Sequence, residues 1–200
     1  MLTLLLGCVG PADFNVKGDG RLKKGLKGTQ TEKNLAAAFA GESQARNKYT
    51  YFAGVARDDG YEQVAKIFEE TADNERAHAQ RLGGFLGLVG ETTENLKHAA
   101  EGENYEHTKM YPEFAKVAAE EGFADIATVL KEIGEIEEHH EKRYLKLLKE
   151  VQDGTAFKRA KDTVWHCLNC GYLHEGLEAP TVCPACAYPQ GYYRVWSEPN

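Results

Sequence analysis

From Thr31 onward the chain alternates long stretches with apolar residues at helical spacing and short breaks marked by glycine. The first, "TEKNLAAAFAGESQARNKYTYFAGVARDD", reaches Gly60 without a proline and is rich in helix formers, with Thr31 as its candidate N-cap. The second runs from Tyr61 to about Val89, with Val64, Ala65, Ile67, Phe68 and Ala72 close to a 3.6-residue period, and Gly83, Gly84 and Gly87 loosen its end. A third, from about Glu94 to Glu121, contains Pro112, which bends a helix or opens its hydrogen-bond ladder. The fourth runs from Phe123 to about Val151. Four long amphipathic segments with short connections predict a mainly α fold built as a four-helix bundle.

Sliding the chain on itself by 62 residues exposes an internal repeat. "FAGVARDDGYEQVAKIFEETADNERAH" from Phe52 lies over "FAKVAAEEGFADIATVLKEIGEIEEHH" from Phe114. Identities fall at Phe52/Phe114, Ala53/Ala115, Val55/Val117, Ala56/Ala118, Gly60/Gly122 and Ala65/Ala127, and Tyr49 matches Tyr111 and Arg81 matches Arg143. The bundle is therefore expected to be two related helical hairpins.

After Ala160 the character changes to a short, aromatic stretch rich in Gly and Pro, too small to hold a core without a staple. The expected organisation is an extension over 1–21, a helical bundle over 22–160 and a metal-stapled β domain over 161–200. Cys167 with Cys170 and Cys183 with Cys186 form two C-x-x-C pairs, while Cys8 stands alone. Such pairs without a convincing export signal read as metal binding in a reducing interior. "MLTLLLGCVG" lacks the basic start of a secretory signal. Residues 1–21 are read instead as an over-called start, with translation beginning at Leu22. With 24 basic and 31 acidic residues there is no basic stripe for nucleic acid, and no apolar run approaches the roughly 20 residues of a membrane span.

The chemistry lies in the repeat. Glu75 and His78 stand three apart, hence on one helix face, and Glu137 and His140 repeat the spacing 62 residues later. One such pair is an ordinary surface ion pair. Two at matched positions fit the carboxylate-bridged two-metal site of helix bundles, in which two helices each give a Glu-x-x-His and the other two each give a Glu. Glu42 is the candidate on the first helix, and Glu32, at the helix start, is read as capping. The third offers Glu103 and Glu106. Glu42 precedes Tyr49 by 7 residues and Glu103 precedes Tyr111 by 8, so the third helix carries one extra residue, which a π-bulge would absorb. His98, His107 and His139 are out of phase and read as packed or solvated. Tyr49 and Tyr111 are core residues or donors to a metal-bound carboxylate. Cys167, Cys170, Cys183 and Cys186 make a tetrahedral all-sulfur site whose spacing suits zinc, whereas an electron port for a two-metal site calls for iron.

"TEKNLAAAFAGESQARNKYTYFA", "ETADNERAH", "EGENYEHTKMYPEFA", "EEHHEKR", "CLNCGY" and "CPACAYP" together resemble the rubrerythrin family over nearly all of residues 24–200. The resemblance implies a ferritin-like bundle with a non-haem di-iron (Fe–O–Fe) centre and a C-terminal rubredoxin-like domain with one iron on the four cysteines. It implies Glu42, Glu75, His78, Glu103, Glu106, Glu137 and His140 as the di-iron ligands, with Glu75 and Glu137 bridging and Glu106 exchanging for His78 between oxidation states. Tyr49 and Tyr111 would hydrogen-bond the ligand shell. The implied activity is reduction of hydrogen peroxide to water in the cytoplasm. Electrons would come from a donor such as a rubredoxin or an NAD(P)H-dependent reductase, within a homodimer. Lys109 departs from the glutamate common at that place in relatives. A ferroxidase or iron-storage protein, a plain electron carrier, and a zinc ribbon on a metal-free bundle are the other readings.

Overall fold

The computed structural model describes residues 22–197, so the over-called start expected for 1–21 lies outside the described residues. Helix α1 spans Gln30–Asp58 and begins two residues earlier than the sequence suggests. Its N-cap is Thr29, whose hydroxyl accepts from the Glu32 amide at 3.1 Å, while the Glu32 carboxylate accepts from the Gly28 amide. The reason is capping-box spacing: Thr29, not Thr31, stands three residues before a glutamate that can satisfy the free N–H groups. Helix α2 spans Glu62–Leu86 and ends at Gly87, whose φ of 67° is the left-handed conformation that glycine tolerates.

The third helical run is continuous but changes pitch. It consists of α3 (Thr92–Tyr105), a π-helical turn over Glu106–Met110, and α4 (Tyr111–Glu120). The Tyr111 amide donates to the Glu106 carbonyl five residues back, the widened ladder expected from the extra residue. Pro112, which has no N–H to give, follows at once, where a helix tolerates it best. Helix α5 spans Ala124–Gln152.

The chain divides into two compact units between Asn95 and Leu96. In the first, α1 packs on α2. In the second, α4 and the π turn pack on α5. The repeat is realised atom for atom at the turns. Asp59, Gly60 and Tyr61 donate to Val55, Arg57 and Ala56, and Glu121, Gly122 and Phe123 donate to Val117, Ala119 and Ala118. Gly60 and Gly122 hold φ of 84° and 90°, which explains their identity in the repeat. The repeated alanines are the buried ones: Ala53, Ala56 and Ala65 in one hairpin, Ala115, Ala118 and Ala127 in the other. Small side chains along each seam let two helix backbones approach closely.

The C-terminal part is a three-stranded antiparallel sheet in the order β2-β1-β3, with β1 at Lys158–Cys167, β2 at Leu173–Glu178 and β3 at Tyr193–Val195. Trp165 is fully buried in a cluster with Cys167, Ala179, Cys183 and Tyr193, and its indole N–H donates to the Gly176 carbonyl at 3.0 Å. This core is small and two of its five buried residues are cysteines, so a metal is its natural staple. No described helix is long and apolar enough to cross a membrane.

Ala65 has no exposed surface. Ala65→Leu is expected to overpack the α1–α2 seam and cost about 1–3 kcal/mol in thermal or urea unfolding, whereas Ala substitution of the exposed Val64 should cost far less. Equal effects would contradict the seam.

Candidate metal centres

The two C-x-x-C segments fold as matching knuckles. The Cys167 amide donates to the Tyr172 carbonyl at 2.9 Å and Gly171 closes the turn onto the Cys167 carbonyl at 2.9 Å. Sixteen residues on, the Cys183 amide donates to the Tyr188 carbonyl at 2.8 Å and Ala187 closes onto the Cys183 carbonyl at 2.9 Å. The closing residue needs a positive φ. Gly171 takes 80° freely, but Ala187 holds 59° against its own Cβ, a strained conformation for an L-residue.

This pairing sets Cys167 Sγ 3.8 Å from Cys186 Sγ and Cys170 Sγ 3.7 Å from Cys183 Sγ, with all four sulfurs within 4.8 Å of one another. Those separations are far beyond a disulfide bond of about 2 Å. They match the edge of a tetrahedron with metal–sulfur bonds of about 2.3 Å, roughly 3.8 Å. Charge is unevenly held among the thiols. Burial pushes Cys183 up, but the Tyr193 side chain and the backbone of Cys186 and Ala185 outweigh it and bring it down to about 6. For Cys170 the backbone of Tyr172 favours the thiolate, yet hydrogen bonding with the other cysteines and burial prevail and push it up to about 12. The Asn169 side chain draws Cys186 down. Four thiols in so small a volume do not all ionise until a cation displaces their protons.

The helices carry two further clusters, one in each unit. In the first, Glu42 of α1 joins Glu75 and His78 of α2. His78 Nδ1 lies 2.9 Å from Glu75 Oε2 and 3.8 Å from Glu42 Oε1. In the second, Glu103 of α3 joins Glu137 and His140 of α5. His140 Nδ1 lies 2.6 Å from Glu137 Oε2 and 3.7 Å from Glu103 Oε1. Both triads have ligand atoms close enough to hold one metal ion. Burial first, then the charge and hydrogen bond of Glu137, raise the Glu103 carboxyl above its ordinary range. Carboxylates that close repel unless a proton or a cation lies between them.

The remaining sequence-predicted residues divide. Glu106 stands at the first position of the π turn, outside the Glu103 triad but near enough for its charge to act on Glu103 and Tyr111. The Tyr111 phenol is held above its ordinary range by burial and by the charges of Glu106, Glu137 and Glu103, so it keeps its proton beside them. The Tyr49 ring packs against Phe52 and Phe68, each at 6.1 Å between centroids.

One arrangement is absent from the sequence reading. His107 Nε2 meets Glu141 Oε2 at 2.7 Å, and Asn104 donates to Glu141 Oε1 at 2.9 Å. One carboxylate of α5 thus grips the third run on both sides of Glu106. The repeat gives no hint of it, since Ala79 occupies the matching place in α2. The available signal was Glu141 itself, four residues after Glu137 and on the same face.

Helices bearing matched Glu/Glu/His triads, joined in one chain to a tetrathiolate knuckle domain, define a class of metal-binding proteins in which a carboxylate–imidazole helical part carries a small four-thiolate domain. The rubrerythrin family model matches residues 33–148, and the model of the rubrerythrin rubredoxin-like domain matches residues 165–194. The chain is 48% identical over 193 residues to the rubrerythrin of Porphyromonas gingivalis, spanning 90% of this chain and 96% of that one. It is 49% identical over 185 residues to the rubrerythrin of Nitratidesulfovibrio vulgaris, spanning 86% and 97%. A solved structure of nigerythrin in a partially reduced state is 32% identical, spanning 89% of this chain and 93% of that one, with a TM-score of 0.33. The chain belongs to the rubrerythrin family. Its cofactors are a non-haem di-iron centre and one iron at the rubredoxin-like cysteine site.

Glu141→Ala removes the acceptor of both Asn104 and His107. It is expected to cost about 1–3 kcal/mol of stability and to weaken iron retention in the bundle about 10–100-fold against a chelator, leaving the tetrathiolate iron in place. Unchanged retention would show that the grip has no bearing on the metals.

Proposed function

We propose that this protein is a peroxide reductase that converts hydrogen peroxide to water at its di-iron centre and is re-reduced through the tetrathiolate iron. The observation that carries this reading is the presence, in one chain, of two matched carboxylate–imidazole triads and a four-thiolate knuckle domain. Storage of iron needs only the first, and electron transfer only the second. A reaction that takes two electrons per turnover and must be reset needs both.

The proposed ligands are Glu42, Glu75, His78, Glu103, Glu106, Glu137 and His140 for the iron pair, and Cys167, Cys170, Cys183 and Cys186 for the single iron. When bound, the iron pair would supply the two electrons that, with two protons, convert one peroxide to two waters. The chain's own residues set the conditions. Hard carboxylate oxygens suit iron, and each imidazole completes one triad. Glu106, on the widened π turn and outside the triad, would be the side chain whose ligation changes with the charge of the pair. Asn104 and His107, both bonded to Glu141, would steady the turn on either side of it. Tyr111 retains its proton next to three carboxylates, and in this reading it would donate to that ligand shell. The working form is a cytoplasmic homodimer supplied by a rubredoxin or an NAD(P)H-dependent reductase.

The test is to reduce the purified protein anaerobically and mix it in a stopped-flow cell with hydrogen peroxide or with oxygen, following ferric–thiolate and di-iron absorbance. Peroxide should reoxidise both centres far faster than oxygen, and Glu75→Ala should abolish the peroxide reaction while the tetrathiolate iron remains. Faster reaction with oxygen, with mineral formation, would make the protein a ferroxidase. Full peroxidase activity in Glu75→Ala would overturn the ligand assignment.

A further inference from the structure

Among the described residues of the cysteine domain, two enclosed side-chain atoms lack a partner, His166 Nδ1 and the Tyr193 phenolic oxygen, and of the two residues Tyr193 is the more deeply buried. It lies on β3 directly across from Cys167 on β1, and only 4% of its surface is exposed. Its ring belongs to the cluster formed by Trp165, Cys167, Ala179 and Cys183. The phenolic oxygen is fully enclosed, and among the described residues no atom meets it with full hydrogen-bond geometry. A hydroxyl buried without a partner costs free energy that a phenylalanine at this place would not. Yet the oxygen is not isolated from polar atoms. Besides the Trp165 indole, which is spent on the Gly176 carbonyl, the side chains of this cluster offer the hydroxyl no polar atoms but the cysteine sulfurs, and the phenol and the Cys183 thiol shift each other's acidity in opposite directions. Sulfur in a thiol is a weak acceptor. A thiolate is a strong one.

We infer that Tyr193 donates its phenolic O–H to the Cys183 thiolate of the iron-loaded knuckle domain and thereby raises the reduction potential of that iron. The inference rests on the iron reading of the four cysteines. Four thiolates around ferric iron carry one net negative charge and around ferrous iron two. Reduction adds one electron and neither breaks a bond nor moves a proton. The extra charge is spread largely over the sulfurs, so a donor aimed at one of them favours the reduced state. The backbone amides of both knuckles act on every site of this shape. A side-chain hydroxyl inside the core is an additional donor that this chain supplies.

Tyr193→Phe removes the hydroxyl and keeps the ring. In the full-length iron-loaded protein, a spectroelectrochemical titration of the ferric–thiolate band should show the midpoint moved to more negative potential. The expected change is about tenfold in the ratio of reduced to oxidised iron at a fixed potential, 59 mV for a one-electron couple. Iron content and the wavelength of the band should stay the same, which a merely structural loss would not allow. A loaded variant with an unchanged midpoint overturns the inference. A wild-type protein that takes up iron at the helical triads but shows no ferric–thiolate band overturns the iron reading instead. Should the variant fail to hold iron, the cadmium-113 form of the wild-type chain decides. A slowly exchanging Tyr193 hydroxyl proton coupled to cadmium supports the hydrogen bond, and a hydroxyl exchanging at the solvent rate rules it out.

Discussion

Carboxylates held within a few ångströms of one another repel, and the helices of this chain bring them that close twice. Each triad sets two glutamates around one imidazole at almost the same distances, on helices that otherwise carry ordinary exposed charge. Such clusters persist in a folded protein when a proton or a cation lies between them, and with a cation the repulsion becomes ligand charge. The alanine seams follow from the same demand. Helix backbones must approach closely if the short side chain of a glutamate on one is to share an ion with a Glu and a His on the next.

The π turn shows how a repeat is adapted for chemistry. Duplicated hairpins produce symmetric triads, and the extra residue of the third run breaks that symmetry. One residue inserted before Tyr111 widens the ladder at Glu106–Met110 and sets Glu106 apart from the triad on its own run. The inserted turn is also a weak point, with a carbonyl ladder out of step and a proline following. Glu141, accepting from Asn104 and His107 on either side of Glu106, compensates for that weakness.

Much of this was legible in the sequence because it is written in local spacings. Helix period, the 62-residue repeat, Glu-x-x-His and C-x-x-C each need only a few neighbouring residues, and the one-residue mismatch between Glu42–Tyr49 and Glu103–Tyr111 located the π turn. What was not legible depends on distant pairs. Glu141 meets residues 34 and 37 positions away, and Tyr193 lies across a strand from Cys167, so neither relation leaves a periodic trace. The N-cap was misplaced for a different reason. Two threonines compete within three residues, and only the reach of Glu32 decides between them. Nor does spacing alone choose zinc or iron for the four cysteines, since both fill the same sulfur tetrahedron; membership of the rubrerythrin family makes that choice.

The central claim is that one chain holds both an iron pair and a separate thiolate-bound iron. Mössbauer spectroscopy of the iron-57 protein in its oxidised form tests it most directly. The account predicts two irons in a spin-coupled ferric pair for every high-spin ferric iron on sulfur. A spectrum showing thiolate iron alone, with the helical triads empty or filled by zinc, would contradict it.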